Sequence, residues 1–340
     1  MTGVTGTTGT TGTTELRIGY LLPTRDRAVV GDHQVKPLVG QARRAEELGF
    51  DSVWAGDSPV TRPRADALMV LSAVADATER VTLGTAVLLG ALRHPILLAH
   101  QLATLDRISE GRLVAGMGGG FPTPATEGQF AALGIGFASR MGRLEEAIAA
   151  MRLLWSEKTA SFEGKHFSFD DVTPAPGPAR PGGPPIWLAG SGTAALRRVA
   201  RLADGWLPYP PEPRIYEHEW AAVQGDAERS VTPALYATFC LDDDPERARA
   251  RLRTSIERYY NAPLEYIESI QAMFAGTPRD AAAWLARYAG AGARHVVIRL
   301  AVDDHTGALE EFADRVLPLV RTTLPDVRTA LPLVHQGDRS

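Results

Sequence analysis

From Leu16 onward the chain repeats one unit: a short aliphatic or β-branched run, a loop, and an amphipathic helix that stops at glycine. The clearest joints are "AEELGFDSVWAG" (45–56), "RISEGRLVAGMG" (107–118), "RLADGWLPY" (201–209) and "YAGAGARHVVIRL" (288–300). Glycine just past a helix end adopts the left-handed turn at little cost, so each joint reads as a helix stop feeding a buried strand. Apolar runs near 16–22, 51–56, 81–87, 112–117, 185–189, 204–208, 234–240 and 294–300 make eight strands. Eight strands alternating with helices predict an α/β fold of the (β/α)8 TIM-barrel kind. No G-x-G-x-x-G opens a helix after the first strand, which argues against an open dinucleotide-binding sheet.

The spacing is uneven. A long insertion follows the fourth strand, with a helix expected over 139–155 and a hairpin around Glu163-Gly164 in "SFEGKHFSFDDV". A second insertion, 241–275, follows the seventh strand. Residues 16–322 form the expected barrel domain; the Thr/Gly-rich stretch 1–15 reads as a disordered leader and 323–340 as a loosely held tail.

A net charge near −4, with basic and acidic residues dispersed, leaves no stripe for nucleic acid. No run is long and apolar enough to span a bilayer. The single Cys240 rules out a disulfide framework and suits a reducing cytoplasm, and no His/Cys/Asp/Glu spacing suggests a metal site. In barrels of this kind chemistry sits at the C-terminal strand ends. That directs attention to Pro23, Asp57, Ala86–Leu89, Gly118–Phe121, Gly190–Thr193 and Tyr209.

The stretch "PPIWLAGSGTAALRRVARLADGW" (184–206) ends a strand in Gly190-Ser191-Gly192 as a helix begins. Two readings stand. Ser191 or Thr193 caps the helix, or the glycines bare its amides and positive end for a phosphate.

Five segments, in order, carry a resemblance: "AEELGFDSVWAGDS", "ERVTLGTAVLLGALRHPILLAHQLATLDRISEGRLVAGMGGG", "LEEAIAAMRLLW" with "FEGKHFSF", the 184–208 stretch, and "GTPRDAAAWLARYAGAGARHVVIRL". Together they resemble the bacterial luciferase-like flavin-dependent monooxygenases, a barrel superfamily that also holds deazaflavin-dependent reductases. The resemblance implies that Gly190, Ser191, Gly192 and Thr193, after Ala189, grip the cofactor phosphate, with Arg140 as a basic partner. It implies a non-prolyl cis peptide at Ala86-Val87 behind the cofactor ring, with Asp57 and Gly118 beside the ring. Ser58, Leu88, Phe121 and Tyr209 then line the substrate pocket.

The departures bear on chemistry. Luciferases and the sugar-phosphate-oxidising deazaflavin enzymes place histidine at or next to the Asp57 position, and the latter place glutamate after the fourth-strand glycines. Here those positions hold Ser58 and Phe121. His94 and Asp57 remain as acid/base candidates, and His100 reads as core. The resemblance implies a monooxygenase that uses reduced FMN and O2 on a small organic substrate, its reduced flavin supplied by a separate reductase. The alternative is hydride transfer with the deazaflavin coenzyme F420, and a more remote one is a non-catalytic flavin-binding protein. Family members commonly pair through helices flanking the second to fourth strands, so a homodimer is expected there.

Overall fold

A computed structural model describes residues 15–323. The expected leader up to residue 14 and the tail from 324 lie outside the described residues. The strands are β1 (Arg17–Leu21), β2 (Ser52–Ala55), β3 (Thr82–Thr85), β4 (Leu113–Met117), β5 (Ala160–Glu163), β6 (Ser168–Val172), β7 (Ile186–Leu188), β8 (Gly205–Trp206), β9 (Thr232–Leu241), β10 (Met273–Gly276) and β11 (His295–Leu300). Eight of them, all parallel, close in the order β1-β2-β3-β4-β7-β8-β9-β11, with β11 returning to β1 and β8 pairing β9. This is the expected TIM barrel.

The insertion after β4 carries helices Pro124–Ala132 and Arg140–Ser156 and the antiparallel β5-β6 hairpin, as the alternation around Glu163 predicts. The insertion after β9 adds helices Pro245–Tyr260 and Leu264–Glu268, and also a strand that sequence reasoning missed, β10. The reason is tertiary. β8 is two residues long, so at the C-terminal rim β9 lacks a neighbour on that side. The β10 segment fills the gap: the Ala272 amide donates to the Tyr209 carbonyl (2.9 Å) and the Thr238 amide to the Ala272 carbonyl (3.0 Å).

Helix starts follow local chemistry. Asp66 accepts from the Leu68 and Met69 amides, Thr277 from Asp280, and Asp244 from Glu246 and Arg247. Each satisfies donors that a first turn leaves free.

Leu21, Trp54, Val114, Trp187, Leu207, Ala234 and Val297 form a cluster distinct from the core under the helices; these are the inward residues of the barrel. Two indoles fill most of it because glycine stands where they pass. A Cβ at Gly19 or Gly84 would collide with Trp54, and one at Gly205 with Trp187. His295 meets both indoles edge-on, and its Nε2 lies 2.7 Å from Ser52 Oγ, which accepts from Trp54 Nε1 at 2.7 Å. With the Ser52 hydrogen pointing to Nε2, the imidazole is neutral and carries its proton on Nδ1.

Burial, with Arg17 adding, pushes the His295 pKa from 6.5 down to about 3. The unfolded imidazole takes up a proton below pH 6.5 and the folded one does not. Stability is therefore full above that pH and declines as pH falls toward 3. The loss is about 1.4 kcal/mol per pH unit for this group. Urea midpoints measured at about pH 7 and pH 5.5 should show the decline, and His295→Gln should flatten it. An equal slope in the variant would refute the assignment.

Candidate active site

The C-terminal rim brings together most of the residues expected there. After β3 the chain makes a cis peptide at Ala86-Val87. This bulge is pinned between neighbouring strand ends: the Ala86 amide donates to the Ala55 carbonyl (2.9 Å), Leu88 to Gly116 (2.8 Å) and Gly118 to Leu88 (3.0 Å). A Cβ at Gly118 would lie 2.7 Å from Val87 Cγ2, so glycine there admits the bulge.

Asp57, at the end of β2, is buried and committed. Arg93 Nη1 and Nη2 donate to its two carboxylate oxygens at 2.6 and 3.1 Å, and the Leu89 amide adds a third bond at 3.0 Å. Burial alone would lower the Arg93 pKa; the bonds to Asp57 outweigh it and hold the guanidinium above its ordinary value. With both oxygens engaged by Arg93 and one also by the Leu89 amide, Asp57 ties the β2 and β3 loops together. Ser58 is likewise engaged, donating to Gln129 Oε1 (3.0 Å), which also accepts from the Val60 and Thr61 amides. Arg93 and Gln129 have no local sequence signal, since their partners lie 36 and 71 residues away.

Two histidines depart from expectation. His94 is exposed, accepts from the Ile96 amide as the N-cap of helix Pro95–Ile108, and packs edge-on against Phe167 of the insertion. A ring spent on capping at the surface does not fit the acid/base role. His100, expected in the core, is exposed, because the buried face of that helix runs through Leu98, Ala99, Leu102 and Leu105. Of the pocket candidates, Leu88 is fully buried, whereas Phe121 is 40% exposed and shields little from water. Tyr209 is half-buried, and its hydroxyl has no protein hydrogen bond among the described residues. Burial, with Tyr260 adding and Arg62 opposing, pushes its pKa up to about 12. It is therefore a phenol, able to donate, at neutral pH.

The turn after β7 removes one of the two readings of Gly190-Ser191-Gly192, the side-chain cap. Helix Thr193–Leu202 starts with no side-chain cap, so neither Ser191 nor Thr193 serves as one. Ala195 and Leu196 donate to the Gly192 carbonyl, while the Thr193 and Ala194 amides have no acceptor among the described residues. Gly192 has φ 81° and ψ 159°, a region essentially restricted to glycine, and nothing lies within 4 Å of where its Cβ would be. Trp206 Nε1 fixes the Gly190 carbonyl at 2.9 Å. Bare amides at an open helix start are the donors that an anion cradle requires. One feature went unseen in the sequence: buried Glu219 accepts from the Gly192 amide (3.0 Å), and its Oε2 has no partner. Arg140 stacks on Phe137 with its Cζ 3.9 Å from the ring centroid, near Gly119, and its buried Nε is also unpartnered. The free Thr193 and Ala194 amides, the Val87 bulge and an orphaned guanidinium nitrogen fit a phosphate-bearing planar cofactor, while the Glu219 carboxylate takes the Gly192 amide away from it.

A closed barrel of this kind places its candidate site at the C-terminal strand ends, where these residues gather. Residues 16–322 match the luciferase-like monooxygenase family, and the chain belongs to it. This is a family that works with flavin or deazaflavin. The chain is 30% identical over 315 residues, 82% of its length and 91% of the relative's, to an F420-dependent glucose-6-phosphate dehydrogenase of Kineococcus radiotolerans. Among solved structures it resembles a monooxygenase from Streptomyces bottropensis (TM-score 0.75, 24% identity, 89% of this chain and 99% of that one). It also resembles an F420-dependent secondary alcohol dehydrogenase in complex with an F420-acetone adduct (TM-score 0.73, 21% identity, 90% and 99%). Among the described residues no helix is long and apolar enough to cross a membrane, and no group of three or more His, Cys, Asp or Glu side chains is placed to hold a metal ion.

Proposed function

We propose that the protein is an F420-dependent oxidoreductase of a small-molecule substrate. This replaces the expectation of a reduced-FMN monooxygenase; a separate enzyme that recharges the coenzyme remains part of the proposal. The supporting observation is that the curated relatives matching most of the chain are named for F420. The coenzyme supplies a two-electron hydride acceptor or donor when bound. Gly190–Thr193 hold its phosphate, the Val87 bulge backs its ring, and the Tyr209 phenol donates a hydrogen bond into the mouth. Glucose 6-phosphate itself is not the proposed substrate. The positions where the resemblance puts the histidine and glutamate hold Ser58, which is bonded to Gln129, and the exposed Phe121.

Titration with F420, FMN and riboflavin, followed by fluorescence, tests the reading. F420 should bind at least about tenfold more tightly than FMN, a difference of about 1.4 kcal/mol. Tighter binding of reduced FMN with substrate-dependent oxygen uptake would restore the monooxygenase. Binding without turnover of any reduced or oxidised substrate would favour the non-catalytic alternative.

We also propose a homodimer through the helices after β2 and β3. Met69 on helix Ala67–Ala77 and Leu97 on helix Pro95–Ile108 are 62% and 63% exposed, and these two helices pack side by side. Large apolar side chains grouped on neighbouring helices are what a self-complementary interface buries. Light scattering at micromolar concentration should give twice the monomer mass, and Met69→Lys should halve it. A monomeric wild type would contradict this.

A further inference from the structure

Three arginines stand together at the rim without an acid. Arg25 lies in helix Thr24–Val29 after β1; Arg62 and Arg64 lie in the loop after β2. Arg25 Nε and Nη2 donate to the Tyr259 carbonyl at 2.9 and 2.5 Å, and its Cζ sits 4.8 Å from the Tyr259 ring centroid. Arg62 Cζ sits 5.3 Å from the ring centroid of Tyr260, which is 4.8 Å from that of Tyr259. Arg64 Nε donates to the Arg62 carbonyl at 3.3 Å. Its Nη1 occupies the space directly over Gly56, where a Cβ would also lie 3.5 Å from the Ala86 carbonyl of the cis peptide. The three cations thus run from the tyrosine pair to the edge of the ring pocket.

The carboxylates nearby are taken. Asp57 is held by Arg93, Asp66 by Arg93 and its own helix cap, and Asp26 by Arg299. Among the described residues none forms an ion pair with Arg25, Arg62 or Arg64. Gathering like charges at a half-buried site is unfavourable unless a ligand brings the countercharge. The cost is visible at Arg25. Burial first, with Arg64 and Arg62 adding and Tyr259 opposing, pushes its pKa down to about 10. Cation–π contact with the tyrosines offsets part of this for Arg25 and Arg62, but Arg64 has no ring beneath it.

We propose that Arg25, Arg62 and Arg64 form the substrate-side anion site, so that the substrate carries a carboxylate or phosphate group. Guanidinium groups suit both, since their planar forks match either oxyanion in two-point fashion. The site is separate from the cofactor cradle. β7 is the fifth barrel strand and β1 the first, so the two anion sites face each other across the mouth. An anionic group held at one rim and a cofactor phosphate at the other would fix a short substrate beside the ring. The proposal rests on the rim being the oxidoreductase site, as read above.

The test uses the full chain loaded with F420 or FMN, so that the cradle is filled, titrated with inorganic phosphate and separately with benzoate, and followed by cofactor absorbance. At least one probe should bind saturably, and the tighter one names the anion. Arg62→Ala and Arg64→Ala should each weaken it about tenfold or more. Arg62→Lys should recover part of the loss, and Arg279→Ala, an exposed arginine elsewhere, should change nothing. Unaltered probe binding in folded Arg62→Ala and Arg64→Ala, or no saturable binding, would overturn the proposal and leave the arginines as braces for the tyrosines. An equal loss of cofactor affinity would also overturn it, since the anion held would then be the cofactor's own. If no cofactor binds, the functional reading fails, and the same titrations of the free chain followed by calorimetry still decide the anion site.

Discussion

Gly192→Asp should weaken binding of a phosphate-bearing cofactor at least about thirtyfold while the protein stays folded. Two effects act together. The backbone at φ 81° and ψ 159° belongs to glycine, so any side chain strains the turn. The new carboxylate also faces a dianion, and like charges about 4 Å apart repel by roughly 4 kcal/mol at an effective dielectric near 20. Relaxation and solvent relieve much of this; about 2 kcal/mol remaining gives the thirtyfold. Glu219 already occupies the Gly192 amide, so the cradle has little room for a second carboxylate. Comparing FMN with riboflavin, or F420 with its phosphate-free chromophore, isolates the phosphate. Gly192→Ala measures the strain alone. If Gly192→Asp weakens the phosphate-free ligands as much, the turn contributes shape and not charge recognition.

The larger effect on stability is expected at Asp26. Arg299 is 1% exposed on β11; its Nη2 reaches Asp26 Oδ1 at 2.6 Å and Ser255 Oγ at 2.9 Å, and its Cζ lies 4.0 Å from the Tyr259 ring centroid. Its Nε and Nη1 have no partner. Burial alone would lower its pKa, but Asp26 and the surrounding tyrosines outweigh it and hold the group charged. Asp26→Ala would leave that cation buried without a countercharge, at a cost of about 3–5 kcal/mol. The urea midpoint, followed by circular dichroism at neutral pH, should fall accordingly. The double variant Asp26→Leu with Arg299→Met removes both charges and should recover much of the loss. A single variant within about 1 kcal/mol of wild type would mean that water or the tyrosines carry the charge.

The eight barrel strands, the β5-β6 hairpin and the glycine turn after β7 were legible because each is encoded within a dozen residues. Periodicity sets the buried face, and glycine at 49, 111 and 292 supplies the positive φ that ends a helix. The site was legible as far as those local signals reach: the Gly190–Thr193 turn and the Ala86-Val87 bulge stand where expected. Side-chain roles were not. His94 stood as an acid/base candidate because Ser58 and Phe121 fill the positions of the resemblance's histidine and glutamate, yet it caps a helix. Asp57 looked free until Arg93, 36 residues on, claimed it.

The same division holds across the molecule. The sequence by itself determined which segments form the eight barrel strands and the β5-β6 hairpin, where glycines shape the turn after β7, and that the barrel closes at eight. Only the tertiary structure decided that β10 fills the short edge of β8, that Gly19, Gly84 and Gly205 make room for two indoles, and that Glu219 enters the cradle. It also decided that Arg25, Arg62 and Arg64 share one rim with no ion pair to any of them among the described residues. The physical reason is range. Backbone conformation answers to neighbours a few residues away, whereas the charge and volume met by a side chain are set by strands that only barrel closure brings together.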